Sequence, residues 1–133
     1  MARQRAVQAL YQWQQAGHDL SEIDAQFLAG QDMSRVEVPY FQELLYKIPK
    51  DIENLDAYLE PLLNRKINEV DSVERAILRI GTYELKHRLD VPYRVVINEG
   101  IVLAKKFGAV DSHRFVNGIL DKLSFTLRSA ERK

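Results

Sequence analysis

Residues 71–88 read DSVERAILRIGTYELKHR, and no other segment says as much about the kind of protein this is. Apolar side chains recur in this segment with the period of a helix, and on a helical wheel they cover most of the circumference. Asp71 is placed to cap the helix, and Glu74 follows three residues later, where a capping box has its acid. A helix that is apolar on most sides belongs in the middle of a bundle, so this segment predicts an all-α fold.

Helical period continues over almost every other part of the chain, and no pair of alternating strands competes with it. The prolines agree with this pattern, because Pro39, Pro49 and Pro92 lie where helices can begin and Pro61 marks a kink or a break. Short links between the helices are typical of packed helical bundles. The sequence predicts seven helices, at about residues 3–16, 20–30, 38–48, 50–63, 72–88, 93–107 and 112–128.

Length and composition are those of one soluble globular domain. The chain has 133 residues, of which 46% are hydrophobic and 29% charged, so it is long enough to bury a core. No apolar run is long enough to span a membrane, and the N-terminus lacks the apolar region of a secretory signal. There is no cysteine and therefore no disulfide framework. We expect a cytoplasmic protein.

Charge is unevenly distributed, although the net charge is zero. Residues 1–18 carry two arginines and no acid, and residues 19–60 carry ten acids against three bases. Residues 61–133 carry fourteen bases against nine acids. Basic ends around an acidic middle permit an anionic partner, but they are equally compatible with ordinary solvated helix surface. The charge pattern leaves both interpretations open.

The sequence does not indicate a catalytic site. Glu84 falls in the apolar sector of its helix, and a buried carboxylate needs hydrogen-bond donors, so we expect a structural acceptor rather than an acid catalyst. His18, His87 and His113 do not have metal-ligand spacing with a third donor nearby. There is no phosphate-cradling glycine loop and no nucleophile elbow. We therefore expect a protein that is not an enzyme and needs neither a cofactor nor a metal.

Residues 108–122, GAVDSHRFVNGILDK, combine a helical period with an Asn-Gly pair that is a common hairpin signal. The apolar period outweighs the hairpin signal, and it places Phe115 at the edge of the apolar arc with Gly118 on the flank beside it. Two explanations of this glycine remain. A neighbouring helix packs closely against Gly118 and Phe115 is ordinary core, or an unpaired base stacks on Phe115 with Arg114 or Lys122 near its phosphates.

The first helix presents a similar choice. Tyr11 lies at the edge of a broad apolar face, and Arg3 and Arg5 precede it in what we expect to be an unpaired, mobile end. A tyrosine at such an edge usually packs its ring and leaves its hydroxyl in water. Beside two N-terminal arginines, the ring of Tyr11 is also suited to stack on a base.

Four segments together resemble the NusB family, with their order and spacing kept over essentially the whole chain. They are AVQALYQWQ at 6–14, VERAILRIGTYEL at 73–85, DVPYRVVINEGIVLAKKFG at 90–108 and DSHRFVNGILDK at 111–122. The resemblance implies an all-α fold of about seven helices in two small helical bundles. The N-terminal bundle would cover about residues 1–67 and the C-terminal bundle about residues 68–133 of one RNA-binding domain.

The resemblance also implies a function in transcription antitermination. Family members bind the boxA sequence of nascent RNA together with the ribosomal protein NusE. The complex helps RNA polymerase to read through terminators, notably in ribosomal RNA operons. A monomer is expected, with a dimer possible when RNA is absent.

Two alternatives remain beside this function. The protein could be an adaptor that only joins NusE to another factor. It could also be a stand-alone module related to the RNA-binding module of RNA cytosine methyltransferases. Those enzymes need a separate Rossmann-like domain, for which 133 residues leave no room.

An RNA surface follows from the resemblance, position by position. Arginines would contact phosphates, the two rings would stack on unpaired bases, and the carboxylates would accept hydrogen bonds from base amino groups. Family members often begin with a longer arginine-rich arm than the MARQR of this chain, so we expect weak unaided RNA binding and a larger role for NusE. The implied RNA-binding residues are Arg3, Gln8, Tyr11, Glu74, Arg79, Asp111, Arg114 and Phe115.

Overall fold

A computed structural model of the protein describes residues 1–132. Within these residues there are seven α-helices and two short 3₁₀ turns, and there is no strand, so the predicted all-α fold is confirmed. The helices are α1 (Ala2–Ala16), α2 (Leu20–Gly30), α3 (Val38–Lys50), α4 (Ile52–Leu59), α5 (Ser72–His87), α6 (Tyr93–Phe107) and α7 (Ser112–Leu127). The 3₁₀ turns are Glu60–Leu62 and Ile67–Glu69. No helix within residues 1–132 combines the length and the apolar character that crossing a membrane requires.

Local capping sets several of these boundaries. The carboxylate of Asp71 accepts hydrogen bonds from the backbone amides of Val73 (3.1 Å) and Glu74 (3.2 Å), as predicted for the start of α5. Helix α1 ends at Gly17, whose φ of 65° lies in the left-handed region that glycine tolerates best. The amide of Gly17 donates to the carbonyl of Trp13 and closes the last turn.

Two of the four prolines lie at helix starts, and the other two lie at or just after helix ends. Pro39 lies in the first turn of α3 and Pro92 is the N-cap of α6, as expected for helix starts. Pro49 was expected to begin a helix, but this is wrong, because it lies in the last turn of α3. Proline tolerates this position because its fixed φ is close to that of a helix. Since α3 ends directly afterwards at Lys50, the missing N–H of Pro49 removes little from the backbone hydrogen bonds of the helix. Pro61 does break the chain, since α4 stops at Leu59 and a 3₁₀ turn follows.

Helix α5 lies at the centre of the molecule, as its apolar circumference predicts. Every residue from Ala76 to Leu85 is buried, and the helix packs against α1, α3, α4, α6 and α7. Two polar side chains of α5, Arg79 and Thr82, are buried as well. Thr82 donates its hydroxyl to the carbonyl of Leu78 at 2.7 Å, so its polar group is satisfied within the helix.

Glu84 is the buried structural acceptor that the sequence indicates. Its side chain is 1% exposed and accepts from Arg3 Nε at 2.9 and 3.1 Å and from the hydroxyl of Tyr40. Burial and the nearby charge of Glu84 raise the pKa of Tyr40 above its ordinary value, so the phenol stays a donor. The expectation of an unpaired, mobile end at Arg3 is wrong, because α1 already begins at Ala2 and the buried carboxylate requires a cation.

The helices group in chain order. Helices α1, α2 and α3 contact one another, helices α5, α6 and α7 contact one another, and α5 also packs on α1. Two glycines allow the second group to approach closely. A Cβ atom at Gly81 would lie 2.6 Å, and one at Gly100 2.7 Å, from a methyl carbon of the fully buried Leu120. The division into two bundles near residue 67 stays a prediction.

Candidate nucleic-acid interface

The first turns of α5 and α7 are joined by one buried hydrogen bond. Ser112 is 3% exposed, and its hydroxyl donates to the carboxylate of Glu74 at 2.7 Å. The same hydroxyl accepts from the backbone amide of Ala109 at 3.1 Å. Glu74 was expected to complete a capping box, but its carboxylate bonds to α7 instead. The contact fixes the start of α7, including the exposed Asp111, beside the start of α5.

Phe115 lies one turn beyond Ser112, on the same side of α7. Its ring is partly buried against the core, and the guanidinium carbon of Arg65 lies 5.1 Å from the ring centroid. This distance is within the range of a cation–π interaction. Arg65 is exposed, and sequence reasoning did not select it, although Arg65 and Lys66 form a basic pair in the loop between the two 3₁₀ turns. Phe115 is thus a ring at the surface with a cation above it.

The surface next to Phe115 is open at Gly118. A Cβ atom built on this glycine would meet nothing within 4 Å among the residues that the structure describes. Close packing of a neighbouring helix against Gly118 is therefore wrong as an explanation of the glycine. The open surface beside an aromatic ring that base stacking on Phe115 requires is present. Nothing in the fold of residues 1–132 fills it.

A groove of about 240 Å³ lies between α1, α5 and α6. It is lined by Val7, Gln8 and Tyr11 of α1, Val73 of α5 and Phe107 of α6. The ring of Tyr11 is 40% exposed, as expected for a side chain at the edge of the apolar face. Val73 of this lining is the residue before Glu74 on α5. Phe107 was not selected from the sequence, and the available signal was an aromatic residue after two lysines in AKKFG at 104–108.

Six of the eight residues implied by the resemblance lie on α1 or at the starts of α5 and α7, and each is at least partly exposed. Three of them, Tyr11, Asp111 and Arg114, are exposed, and the other three are partly exposed. The amide oxygen of Gln8 accepts from Arg5 Nη1 at 2.9 Å, which leaves its nitrogen available. These six residues are Gln8, Tyr11, Glu74, Asp111, Arg114 and Phe115. Their contact with RNA stays a prediction.

The guanidinium groups of Arg3 and Arg79 are each paired with a carboxylate. Arg79 is 8% exposed and binds both carboxylate oxygens of Asp56, at 3.0 and 2.8 Å. Its remaining Nη1 donates to the amide of Gln14 at 2.9 Å. Contact of Arg3 and Arg79 with RNA stays a prediction, and a phosphate would have to compete with Glu84 or Asp56 for these guanidinium groups.

The surface carries donors, acceptors and rings, and these are the groups that recognise unpaired nucleotides. Arg65, Arg114 and Lys106 supply exposed positive charge, and Lys106 Nζ lies 5.9 Å from the ring centroid of Phe107. Glu74 and Asp111 supply acceptors between the rings. No cluster of three His, Cys, Asp or Glu side chains suited to a metal ion occurs within residues 1–132.

Comparisons with known sequences and structures show which proteins this chain is similar to. A family model described as the NusB family matches residues 1–125. A protein of Alcanivorax borkumensis named transcription antitermination protein NusB is 57% identical over 130 residues, which cover 98% of this chain and 87% of the relative. A protein of the same name from Pseudomonas savastanoi pv. phaseolicola is 55% identical over 132 residues, covering 99% of this chain and 80% of that protein.

A solved structure is similar over the same extent. T. maritima NusB, in a form described as P3121, Form 2, superposes with a TM-score of 0.81 at 30% sequence identity. The match covers 92% of this chain and 87% of that chain. Because the family model and the relatives each span most of its length, the chain belongs to the NusB family.

Proposed function

We propose that this protein is a transcription antitermination factor that binds boxA of nascent RNA together with the ribosomal protein NusE. The bound complex would help RNA polymerase to read through terminators in ribosomal RNA operons. The names of the relatives support the general role in antitermination. The observation that carries the RNA-binding part is the exposed ring of Tyr11, which lines a groove with Gln8 and Val73. A second ring, Phe115, is partly exposed next to open surface at Gly118.

The chemistry of this surface suits a single strand better than a duplex. Sequence-specific RNA recognition mostly uses unpaired bases, which stack on aromatic rings and expose their hydrogen-bonding edges. Tyr11 and Phe115 supply two rings, and the carboxylates of Glu74 and Asp111 can accept from base amino groups. Glu74 keeps acceptor capacity after its bond with Ser112, because an ionised carboxylate has about four acceptor positions. Arg114 and Arg65 are placed for phosphates at the Phe115 end.

Tyr11→Ala tests this function directly, with Tyr46→Ala as the matched control. Tyr46 is 37% exposed, close to the 40% of Tyr11, but it lies on α3 and its hydroxyl donates to Asp24 of α2. Labelled boxA RNA is titrated with each protein, with and without NusE. Loss of one stacking platform, worth about 1–3 kcal/mol, should weaken binding about fivefold to a hundredfold for Tyr11→Ala. Tyr46→Ala should bind as the unaltered protein does.

The same titration separates the alternatives. A protein that binds NusE normally but adds nothing to the capture of boxA RNA would be an adaptor, and the proposed RNA-binding function would be rejected. Equal weakening by Tyr11→Ala and Tyr46→Ala would mean that the RNA does not use this surface. Binding that appears only with NusE present, and that is lost with Tyr11→Ala, supports the proposed function.

A further inference from the structure

A second groove, of about 280 Å³, lies where the end of α1 crosses the first two turns of α5. The amide of Gln14 joins the two helices, because its Nε2 donates to the carbonyl oxygen of Ser72 at 2.8 Å and to the hydroxyl oxygen at 3.0 Å. The groove is lined by Trp13, Gln14, Gly17, Arg75 and Arg79. Of these, only Arg79 is among the RNA-binding residues that the resemblance implies, and its guanidinium is paired with Asp56.

One of the two guanidinium groups of this groove lacks a hydrogen-bonded carboxylate partner within residues 1–132. Asp56 is held by Arg79 through two hydrogen bonds, at 3.0 and 2.8 Å. Arg75 has no such partner: its Nε is buried without a hydrogen bond to any of residues 1–132, and its Nη2 reaches only Ser72 Oγ, at 3.4 Å. The charges of Asp56 and Asp71 attract the Arg75 guanidinium, but neither carboxylate is hydrogen-bonded to it within the described residues.

The electrostatic environment of Arg75 agrees with this. Burial and the neighbouring charge of Arg79 lower the pKa of Arg75, and together they outweigh the attraction of Asp56 and Asp71. The carbonyl end of α1 at Gly17 adds only about half a negative charge, which is less than the charge of one guanidinium. An anion with several acceptor oxygens would supply the partners that the Arg75 guanidinium lacks.

We propose that this groove holds a phosphate group of the bound RNA strand, with Arg75 as its principal donor. A guanidinium fork matches the oxygens of a phosphate, and the ring of Trp13 forms an apolar wall for a ribose or a base. The inference rests on the proposed RNA-binding function. It extends the RNA path beyond Tyr11 along α1, to the end opposite Phe115.

Continuity favours an RNA phosphate over a carboxylate of a protein partner. Arg75 follows Glu74 on α5, and Gln14 lies about one turn, or roughly 5 Å, beyond Tyr11 on α1. A strand that stacks a base on Tyr11 therefore passes this groove within a short distance. The phosphates that follow this base in the strand are therefore the anions most readily brought to the groove by the proposed function.

The test compares Arg75→Gln with Arg94→Gln. Arg94 is exposed near the start of α6, about 20 Å along that helix from Phe107, so it controls for the loss of any one positive charge. The affinity of each protein for the same boxA oligonucleotide, with NusE present, is measured over a series of salt concentrations. Arg75→Gln should lower the affinity about tenfold, or about 1.4 kcal/mol, and flatten the log–log salt slope by about 0.7. Arg94→Gln should change neither quantity.

Trimming the oligonucleotide locates the contact. The tenfold difference between Arg75→Gln and the unaltered protein should disappear when nucleotides are removed from one end and persist when they are removed from the other. A difference that persists through trimming at both ends would show that the charge acts at a distance, and the proposed contact would be wrong. The melting temperature of Arg75→Gln should not fall, since the substitution removes a cation with incomplete partners. A marked fall would assign Arg75 to the fold instead.

The failures of the two proposals are distinguishable. Unchanged affinity and salt slope in Arg75→Gln would overturn the phosphate site and leave the proposed function intact. If the unaltered protein with NusE does not bind the RNA at all, both proposals are overturned together.

Discussion

Arginine side chains have two distinct uses in this protein. Arg79 neutralises a half-buried carboxylate, and Arg128, which is 4% exposed, donates to backbone carbonyls at the end of α5. Arg65 and Arg114 are exposed near Phe115, and Arg75 keeps an unpaired Nε within the described residues. The first use contributes to the fold, whereas the second leaves donors for an anionic ligand. An arginine contributes to the fold where the neighbouring helix presents a carboxylate or a carbonyl to it, and stays available to a ligand where no such group is near.

Phe115→Ala tests whether the ring beneath Arg65 is a stacking platform. The loss of one base–aromatic contact should weaken boxA binding between about fivefold and a hundredfold, as measured by titration with NusE present. Phe125 is the matched control, because it lies on the same helix and is 56% exposed near the opposite end. Phe125→Ala should bind RNA normally.

The thermal stability of Phe115→Ala distinguishes a stacking role of this ring from a role in the core. If Phe115 were mainly core, its truncation would cost about 3–5 kcal/mol of unfolding free energy and would affect binding only through unfolding. A large loss of stability, with normal affinity of the folded fraction, would reject the stacking role. Gly118 would then have no ligand beside it to explain its open surface.

Gly118→Ala should stabilise the protein, because the added methyl group meets nothing within 4 Å among residues 1–132. Alanine is favoured over glycine inside a helix by about 0.8–1 kcal/mol, so the melting temperature should rise by a few degrees. Gly100→Ala is the contrasting variant, since its Cβ would lie 2.7 Å from Leu120 Cδ1 and 3.2 Å from Val116 Cγ1. It should lower the melting temperature through overpacking. Equal effects of the two substitutions would contradict the open surface at Gly118 and the close packing at Gly100.

Helix α5 organises the neighbouring helices through polar contacts at both ends as well as through its apolar surface. At its start, Glu74 accepts from Ser112 of α7 at 2.7 Å. At its end, Lys86 and His87 contact the carboxylate of Asp51 at 3.2 and 2.9 Å, next to the start of α4. The ends of α5 are therefore held to different helices, and Glu74 of the candidate interface lies at its start.

The contact at Asp51 predicts a stability loss in acid. Burial alone raises the pKa of this carboxyl group, but hydrogen bonds from Asn54, His87 and Lys86 outweigh burial and hold the pKa at about 2, below the ordinary 3.8. The unfolded chain then binds the proton more readily, so stability is present above about pH 4 and is lost as the pH falls towards about 2. Asp51→Asn should be less stable at neutral pH and should lose less stability than the unaltered protein over that range. Denaturant unfolding at several pH values measures this, and parallel curves for the two proteins would contradict it.

Across the molecule, much of the charge is engaged in internal ion pairs, and the net charge is zero. Association with RNA should therefore depend on salt only moderately. Contacts to about two to four phosphates correspond to a log–log slope of about −1.4 to −2.8 for a single strand. A titration series at increasing salt concentration gives this slope. A much steeper dependence would mean that a basic surface outside the candidate interface dominates binding.

The helices and their boundaries could largely be predicted from the sequence, because the signals for them are local. Helical hydrogen bonds join residues four apart, and capping by Asp71 or termination at Gly17 involves near neighbours. The same local pattern showed that Phe115 and Tyr11 lie at the edges of apolar faces and that Gly118 clears space. The central position of α5 followed from its apolar circumference.

The uses of the polar side chains depended on contacts between distant parts of the chain. Arg3 is 81 positions from Glu84, and Glu74 is 38 positions from Ser112, so no periodic pattern could pair them. Burial raises the cost of an unpaired charge, and packing therefore pairs Arg3 with the buried Glu84 and Arg79 with the half-buried Asp56. The placement of Arg65 over Phe115 and the missing partner of Arg75 Nε likewise depend on how distant segments pack, since sequence periodicity describes one helix at a time.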